Sequence, residues 1–350
     1  RSSDLHEDAY ILFSYVENFV KGNGITYFPG APPIEGATDF LWLILLSLFC
    51  LLGLDVAIAA AFLNSLGIAL IFYLIIKKFT LSYNNYIYIY SITAILLLLV
   101  LSPIASAGYS GFSTSFYTSI SLLVFFIVTN DNYSQSLLLP WLSLLLGLIR
   151  PDGVILGVSF VVIEMLKKQN NPQFLKHVAL CFFIGAIYLY FRFNYFNHLL
   201  PLPLYVKSEI DNVLPGLKTN MTWLRNYAGY IAFAAIFPFI LKANKISYFI
   251  SFLPFFIFFI FFLFANQTQN VDYRFQAPIL GVLIFIATQF ISNVFHQEKS
   301  IFKIFIAIPL LAIISIHFYS APTTIYSRIN DDSYINYFPY YLKKNIKTRP

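Results

Sequence analysis

The chain has 350 residues, of which 59% are hydrophobic and 11% charged, and its mean hydropathy is +0.72. That leaves too little polar surface to solvate a globule of this size, which argues against a water-soluble enzyme and predicts an all-α polytopic membrane protein. The formal net charge of +6 is accordingly read as membrane orientation and attraction to anionic lipid, with no nucleic acid as partner.

The first 55 residues form a unit of their own. From Ala9 to Val20 the apolar positions Ala9, Leu12, Phe13, Val16, Phe19 and Val20 recur at three and four residues, with Ser14, Glu17 and Asn18 between them and Gly22 closing the run. This predicts an amphipathic helix lying on the membrane. Glu7 and Asp8 stand at its start, where the positive end of the helix dipole favours carboxylates, and simple capping accounts for them. The neighbourhood adds a second reading: Gly22, Gly24 and Gly30 with Pro29, Pro32 and Pro33 predict a folded-back loop that returns Glu35 towards Asp8. Paired carboxylates in such a loop are a candidate catalytic centre. The apolar stretch from Phe40 reaches Gly53 and Asp55 after roughly 15 residues, which suits a re-entrant or interfacial helix better than a full crossing.

A span needs about 20 apolar residues. On that measure helices are predicted over 56–76, 86–102, 115–129, 137–149, 153–166, 178–196, 228–241, 246–265, 275–293 and 302–319, so that 56–319 is a bundle and 320–350 a tail. Alternating the connections puts Lys77, Lys78, Lys167, Lys168, Lys176, Lys242, Lys245, Lys299 and Lys303 on one side, which the positive-inside rule makes cytoplasmic. The acidic loop, 102–114, the junction at Arg150-Pro151-Asp152-Gly153, 197–227, 266–274 and the tail then face outward. Every Arg falls on or near that outer side. Arg offers a planar fork matched to phosphate oxygens, whereas Lys is a hydrated point charge suited to orienting loops. The sorting points to an anionic ligand at the outer surface, with Arg150 and Arg274 foremost because each sits where a polar loop meets a helix. Chance sorting is the bland alternative, and for Arg274 a snorkelling cation at a helix end fits as well. Asp152, between Pro151 and Gly153, reads as a turn or N-cap residue. Cys50 and Cys181, each in an apolar run without a nearby His or Cys, are packing residues. His6 and His198 lack close ligand partners, so no metal is assigned.

The first loop resembles that of the bacterial GT-C glycosyltransferases that use polyprenyl-phosphate sugars, most closely the mycobacterial terminal arabinofuranosyltransferase group. Glu7-Asp8-Ala9-Tyr10-Ile11, Ser14-Tyr15-Val16-Glu17-Asn18, Gly22-Asn23-Gly24, Phe28-Pro29-Gly30 and Glu35-Gly36-Ala37-Thr38-Asp39-Phe40-Leu41-Trp42 carry the resemblance. Weaker similarity continues at Ser110 to Thr114, Arg150 to Gly153, Leu200-Pro201 with Tyr205 and Lys207, and Tyr273-Arg274-Phe275 with Pro278. The family usually has Arg where Ser14 stands and Glu where Ser113 stands. It also begins with a span ahead of the acidic loop and often carries a soluble C-terminal domain, so both are expected beyond Arg1 and Pro350.

The resemblance implies a GT-C-like bundle with an outward first loop carrying juxtamembrane helices, in a bacterial inner membrane with the site facing the periplasm. It implies an inverting transfer of sugar from a polyprenyl-phosphate donor to an envelope glycan or lipid acceptor. Asp8 is the expected base, with Glu7 second. Arg274, Arg150 and Lys207 are the expected donor-phosphate ligands, although Lys207 fits an ordinary surface cation too. Glu35, Tyr10 and Tyr205 are the expected substrate contacts. No cofactor is expected; divalent ions assist some relatives of this fold class. A protein O-mannosyltransferase or a lipid-A-type transferase would share the acid loop and differ in acceptor. A lipid or glycan flippase, or a non-catalytic relative, is the alternative outside catalysis. A transporter calls for ionisable residues at the bilayer midplane and an internal two-fold repeat, and neither pattern stands out in the sequence.

Overall fold

The structure is a computed structural model that describes residues 7–34, 36, 38–80, 103–130, 133, 136–167, 171–202, 213–227, 245–265, 267 and 270–296. The spans expected over 86–102, 228–241 and 302–319 and the tail lie outside the described residues, as do Glu35, Tyr205 and Lys207. Among the described residues the architecture is all-helical: α1 (Glu7–Val20), α2 (Phe40–Leu51), α3 (Val56–Thr80), α4 (Pro103–Tyr109), α5 (Thr114–Thr129), α6 (Leu138–Ile149), α7 (Gly153–Lys167), α8 (Pro172–Phe196), α9 (Leu214–Asn226), α10 (Lys245–Phe261) and α11 (Ala277–His296). Among the described residues two segments are long and apolar enough to cross a membrane, Val56–Lys77 of α3 and Pro172–Phe196, which is α8.

The amphipathic helix expected near the N-terminus forms, and the reason it stops is visible. Gly22 adopts φ +80, its N–H bonds the Phe19 carbonyl, and the Asn23 N–H bonds the Asn18 carbonyl. This paired closure needs a left-handed residue just past the helix, where glycine carries no Cβ penalty. The apolar face of α1, with Ala9, Leu12, Phe13 and Val16, packs with Trp42, Leu43 and Leu46 of α2, Ala59, Ala60 and Leu63 of α3, and Phe196 of α8 in one core. A second, larger core joins Ile71 and Leu74 of α3, Phe125 of α5, Leu146 of α6, Phe160 of α7, Phe258 of α10 and Phe285 of α11. The partial helix from Phe40 is α2, and it ends before Gly53 (φ +91) and Asp55.

Helices α6 and α7 form a tight hairpin across the 150–152 turn. A Cβ on Gly157 would lie 2.6 Å from the Ser143 carbonyl oxygen, so glycine is what lets the two backbones approach. Asn64 of α3 is the other fixed point. Its Oδ1 accepts from the N–H groups of Ser115 and Phe116 at 3.1 and 3.2 Å, and its Nδ2 donates to the carbonyls of Gly108 and Phe112 at 3.0 and 2.8 Å. One buried amide thus caps α5 from a different helix and ties down the α4–α5 connection.

Two helices correct the sequence reading. The segment 102–114, expected as a loop, contains α4, and 197–227, also expected as a loop, contains α9. Helix α8 begins at Pro172 rather than near 178, because Asn171 accepts a hydrogen bond from the Gln173 N–H and caps it.

Candidate functional site

The starts of α2, α5 and α7 and the segment before α11 meet at one end of the bundle, and the polar side chains they carry form one cluster. Arg150 follows α6 and Asp152 precedes α7; Nε and Nη2 of the guanidinium donate to Oδ1 and Oδ2 of the carboxylate, each at 3.0 Å. Both side chains are buried, at 6% and 8% exposure. Asp152 therefore does more than the turn role expected of it. The guanidinium Cζ lies 5.0 Å from the Tyr117 ring centroid and 5.1 Å from that of Phe275. Burial weighs against the Arg150 cation, but Asp152 and then Asp39 outweigh it and leave its pKa raised. Burial also pushes the Asp152 carboxyl up, with Arg150 opposing through its charge and hydrogen bonds. Of the five guanidinium donors, two are committed to Asp152, so Arg150 is a cation anchored by its carboxylate neighbour.

Arg274 is the second cation of the cluster. It is half-buried, with Cζ 3.6 Å from the Phe112 centroid and 5.2 Å from the Phe275 centroid. The chain reaches it through a strained kink: Asp272 and Tyr273 have φ of 52 and 56, a left-handed conformation that costs non-glycine residues about 1–2 kcal/mol each. Two tethers hold the kink. Asp272 Oδ2 accepts from Ser106 of α4 at 2.9 Å, and an amide network of Asn220, Gln267, Asn270 and Gln276 binds the Phe275 N–H through Asn270 Oδ1 at 3.0 Å. Strain of this kind persists where the surroundings over-determine it, and it marks functional segments.

The first loop lands on the same cluster. Tyr15 of α1 donates to the Ile34 carbonyl at 2.6 Å and accepts from the Gly36 N–H at 2.9 Å, so the loop is fastened to α1 on both sides of position 35. Four residues later Asp39 Oδ2 accepts from the Ser113 hydroxyl at 2.7 Å, beside the Phe112 ring on which Arg274 rests. Ser113 thus has a carboxylate on its hydroxyl.

No family model, curated protein or solved structure matches the chain. The reading of the site rests on the residues themselves.

The expected site residues divide as follows. Arg150 and Arg274 come together. Glu7 and Asp8 lie in the first turn of α1, and their side chains are outside the description. Tyr10 is exposed on α1; burial and the Asp55 carboxylate raise its pKa. Asp55 stands at the end of α2 away from Asp39, about 20 Å along that helix, so Tyr10 sits towards the opposite end of α2 from the arginine pair. Among the described residues no group of three or more His, Cys, Asp or Glu forms a metal cluster. Asp39, Asp272 and Phe275 were not singled out as site residues from the sequence. The Asp39–Ser113 bond joins positions 74 apart and leaves no local signal, whereas the aromatic beside Arg274 was readable as a cation platform.

A lysine marks the other end. Lys77 of α3 lies 5.9 Å from the Phe126 centroid and 5.6 Å from that of Tyr133, and Phe126 is about 13 Å along α5 from the Tyr117 ring beneath Arg150.

Proposed function

We propose that the chain is a polytopic membrane glycosyltransferase that transfers a sugar from a polyprenyl-phosphate donor to a glycan or lipid acceptor at its arginine end. The observation that carries this reading is the meeting of the acidic first loop, ending at Asp39, with two arginines on the Phe275 ring. The surface of α8 supports the membrane setting: Phe182, Phe183 and Tyr190 are 79%, 62% and 72% exposed, and a helix with such a surface is stable in lipid rather than water. Arginine at one end and lysine at the other accords with a cytoplasmic lysine side and a periplasmic site.

The reaction is a single displacement with inversion. Asp8, with Glu7 as second choice, takes the proton of an acceptor hydroxyl, which requires the first turn of α1, beside Tyr10 and near Asp55, to approach the arginine end when the substrates bind. The oxygen forms a bond to the anomeric carbon as the carbon–oxygen bond to phosphate breaks, and that electron pair departs on the polyprenyl phosphate. General-base assistance of this kind contributes about 10²- to 10⁴-fold. Charge gathers on the leaving phosphate, so a preorganised guanidinium stabilises the transition state more than the ground state, and losing one such donor costs about 3 kcal/mol. Arg274, resting on the Phe112 ring, and Arg150, anchored by Asp152, are the proposed donors, and Lys207 adds a further cation. Glu35 and Tyr205 are the proposed sugar contacts, and Tyr10, towards the other end of α2 from the arginines, is a proposed contact for a distal part of the acceptor.

The test is transfer by the purified full chain from polyprenyl phosphates carrying arabinose, mannose or glucose to a glycan acceptor. Asp8→Asn should insert and fold normally yet form no product, and Arg274→Ala should lose at least a hundredfold in rate. Product formation at the wild-type rate by Asp8→Asn would remove Asp8 as base, and lipid movement without a glycosidic product would replace the reading with a transporter.

A further inference from the structure

Asp39 and Ser113 occupy equivalent places in two helices. Asp39 is the N-cap residue of α2 and Ser113 that of α5, residue types whose side chains normally bond the first free N–H groups of their own helix. Neither does so here. The two side chains bond each other instead, at 2.7 Å. For α5 the reason is visible: Asn64 satisfies the Ser115 and Phe116 N–H groups from α3, which releases the Ser113 hydroxyl. That hydroxyl is buried, and it donates to a carboxylate that is only half-buried.

The Asp39 carboxylate accepts a second bond from Thr38 at 2.8 Å. An ionised carboxylate has about four acceptor positions, so roughly two remain, and no cation stands within ion-pair distance of Asp39 among the described residues. The group is oriented by two hydroxyls, one of them on the residue that follows Phe112, whose ring carries Arg274, and keeps open acceptors at the bundle end that holds the arginine pair. A cap side chain turned away from its own helix forgoes about 1 kcal/mol of stability, which the bond from Ser113 and the attraction to the Arg150 charge offset.

We propose that Asp39 is a sugar-binding residue, its open acceptors taking hydroxyl donors of the sugar carried by the lipid phosphate, with Ser113 as its positioning residue. This rests on the donor reading above and deepens it: Arg274 takes the phosphate and Asp39 takes the sugar.

The experiment titrates the detergent-solubilised full chain with bare polyprenyl phosphate and with polyprenyl phosphates carrying arabinose, mannose or glucose. The wild type should bind at least one sugar-bearing lipid more tightly than the bare lipid. Asp39→Asn, which keeps an acceptor for Ser113 and a favoured N-cap residue, should retain the wild-type melting temperature and bare-lipid affinity while losing roughly tenfold in affinity for the sugar-bearing lipid. Arg274→Ala should weaken both lipids alike. An Asp39→Asn protein that keeps the wild-type sugar preference overturns the role of Asp39 and leaves the donor reading standing. A wild type that binds the bare lipid without preferring any sugar-bearing one also overturns it, and a wild type that binds no lipid overturns both.

Discussion

Arg150 and Arg274 stand against one ring, their Cζ atoms 5.1 and 5.2 Å from the Phe275 centroid. Two guanidinium groups this close repel unless something negative lies between or beside them. Asp152 supplies a full charge on the Arg150 side, and the quadrupole of Phe275 supplies a weaker attraction to both. Phe262 in turn stacks on Phe275 at 5.2 Å and 5° between planes, which holds the ring in place. The pair is thereby fixed before any ligand arrives, the condition for electrostatic stabilisation without reorganisation.

Replacing the ring tests that account. Phe275→Leu keeps an apolar side chain of similar reach and removes the π face, so the protein should lose about 1–2 kcal/mol of stability, the range of one or two partly buried cation–π contacts. Binding of bare polyprenyl phosphate should weaken several-fold, while Phe275→Tyr should behave like the wild type. Thermal unfolding in detergent with parallel lipid titration reads both. A leucine variant with unaltered phosphate affinity would reduce the ring to a spacer.

The buried ion pair makes a sharper demand. Asp152→Ala leaves the Arg150 charge uncompensated in the interior and should destabilise by about 3–5 kcal/mol, whereas the double change Arg150→Met with Asp152→Leu should recover most of that loss. Melting curves of the wild type, Asp152→Ala and the double variant give the answer, and an alanine variant as stable as the wild type would contradict it.

Helices bounded by polar residues were legible in the sequence to within a few positions: α5, α6 and α7 were expected over 115–129, 137–149 and 153–166. Helix α4, Pro103–Tyr109, escaped because its small residues carry no apolar period. Helix α9 escaped because the face it buries is Gly216, Asn220 and Trp223, spaced as a helical stripe but mostly not hydrophobic; Asn220 serves the amide network and only Trp223 enters the apolar core. The Asn171-Pro172 start of α8 was a readable cap signature, masked by the polar Gln173, Lys176 and His177 that follow it. At the site, the helix-junction positions of Arg150 and Arg274 were readable. The commitment of Arg150 to Asp152 was not, since a residue in a Pro-Asp-Gly turn reads equally well as turn chemistry.

Tyr15 is the fastener of the first loop. Tyr15→Phe removes both the hydrogen bond to the Ile34 carbonyl and the one from the Gly36 N–H, with an expected loss of about 1–3 kcal/mol confined to the loop. Global melting should change little, and amide exchange over 27–38 should accelerate. Transfer activity should fall with it, because Glu35 lies between the two tethered positions. Unchanged exchange would show that the loop is held by its glycine and proline turns alone.

Asn64 should be the least replaceable polar residue of the fold among those described. It is 2% exposed, and Asn64→Ala removes the cap of α5 and both carbonyl contacts to the α4–α5 connection in one step. A lost cap costs about 0.5–2 kcal/mol, and each buried group left without a partner about 1–3 kcal/mol, so a loss of about 3 kcal/mol or more is expected. Asn64→Asp separates the two functions, since a carboxylate still accepts from Ser115 and Phe116 at a helix N-terminus, where negative charge is favoured, but no longer donates to Gly108 and Phe112. The aspartate variant should therefore retain α5 while loosening residues 108–113, and with them Ser113 and the ring under Arg274. Amide exchange resolves the two regions; equal protection of both in Asn64→Asp would mean that the donor contacts do not hold the connection.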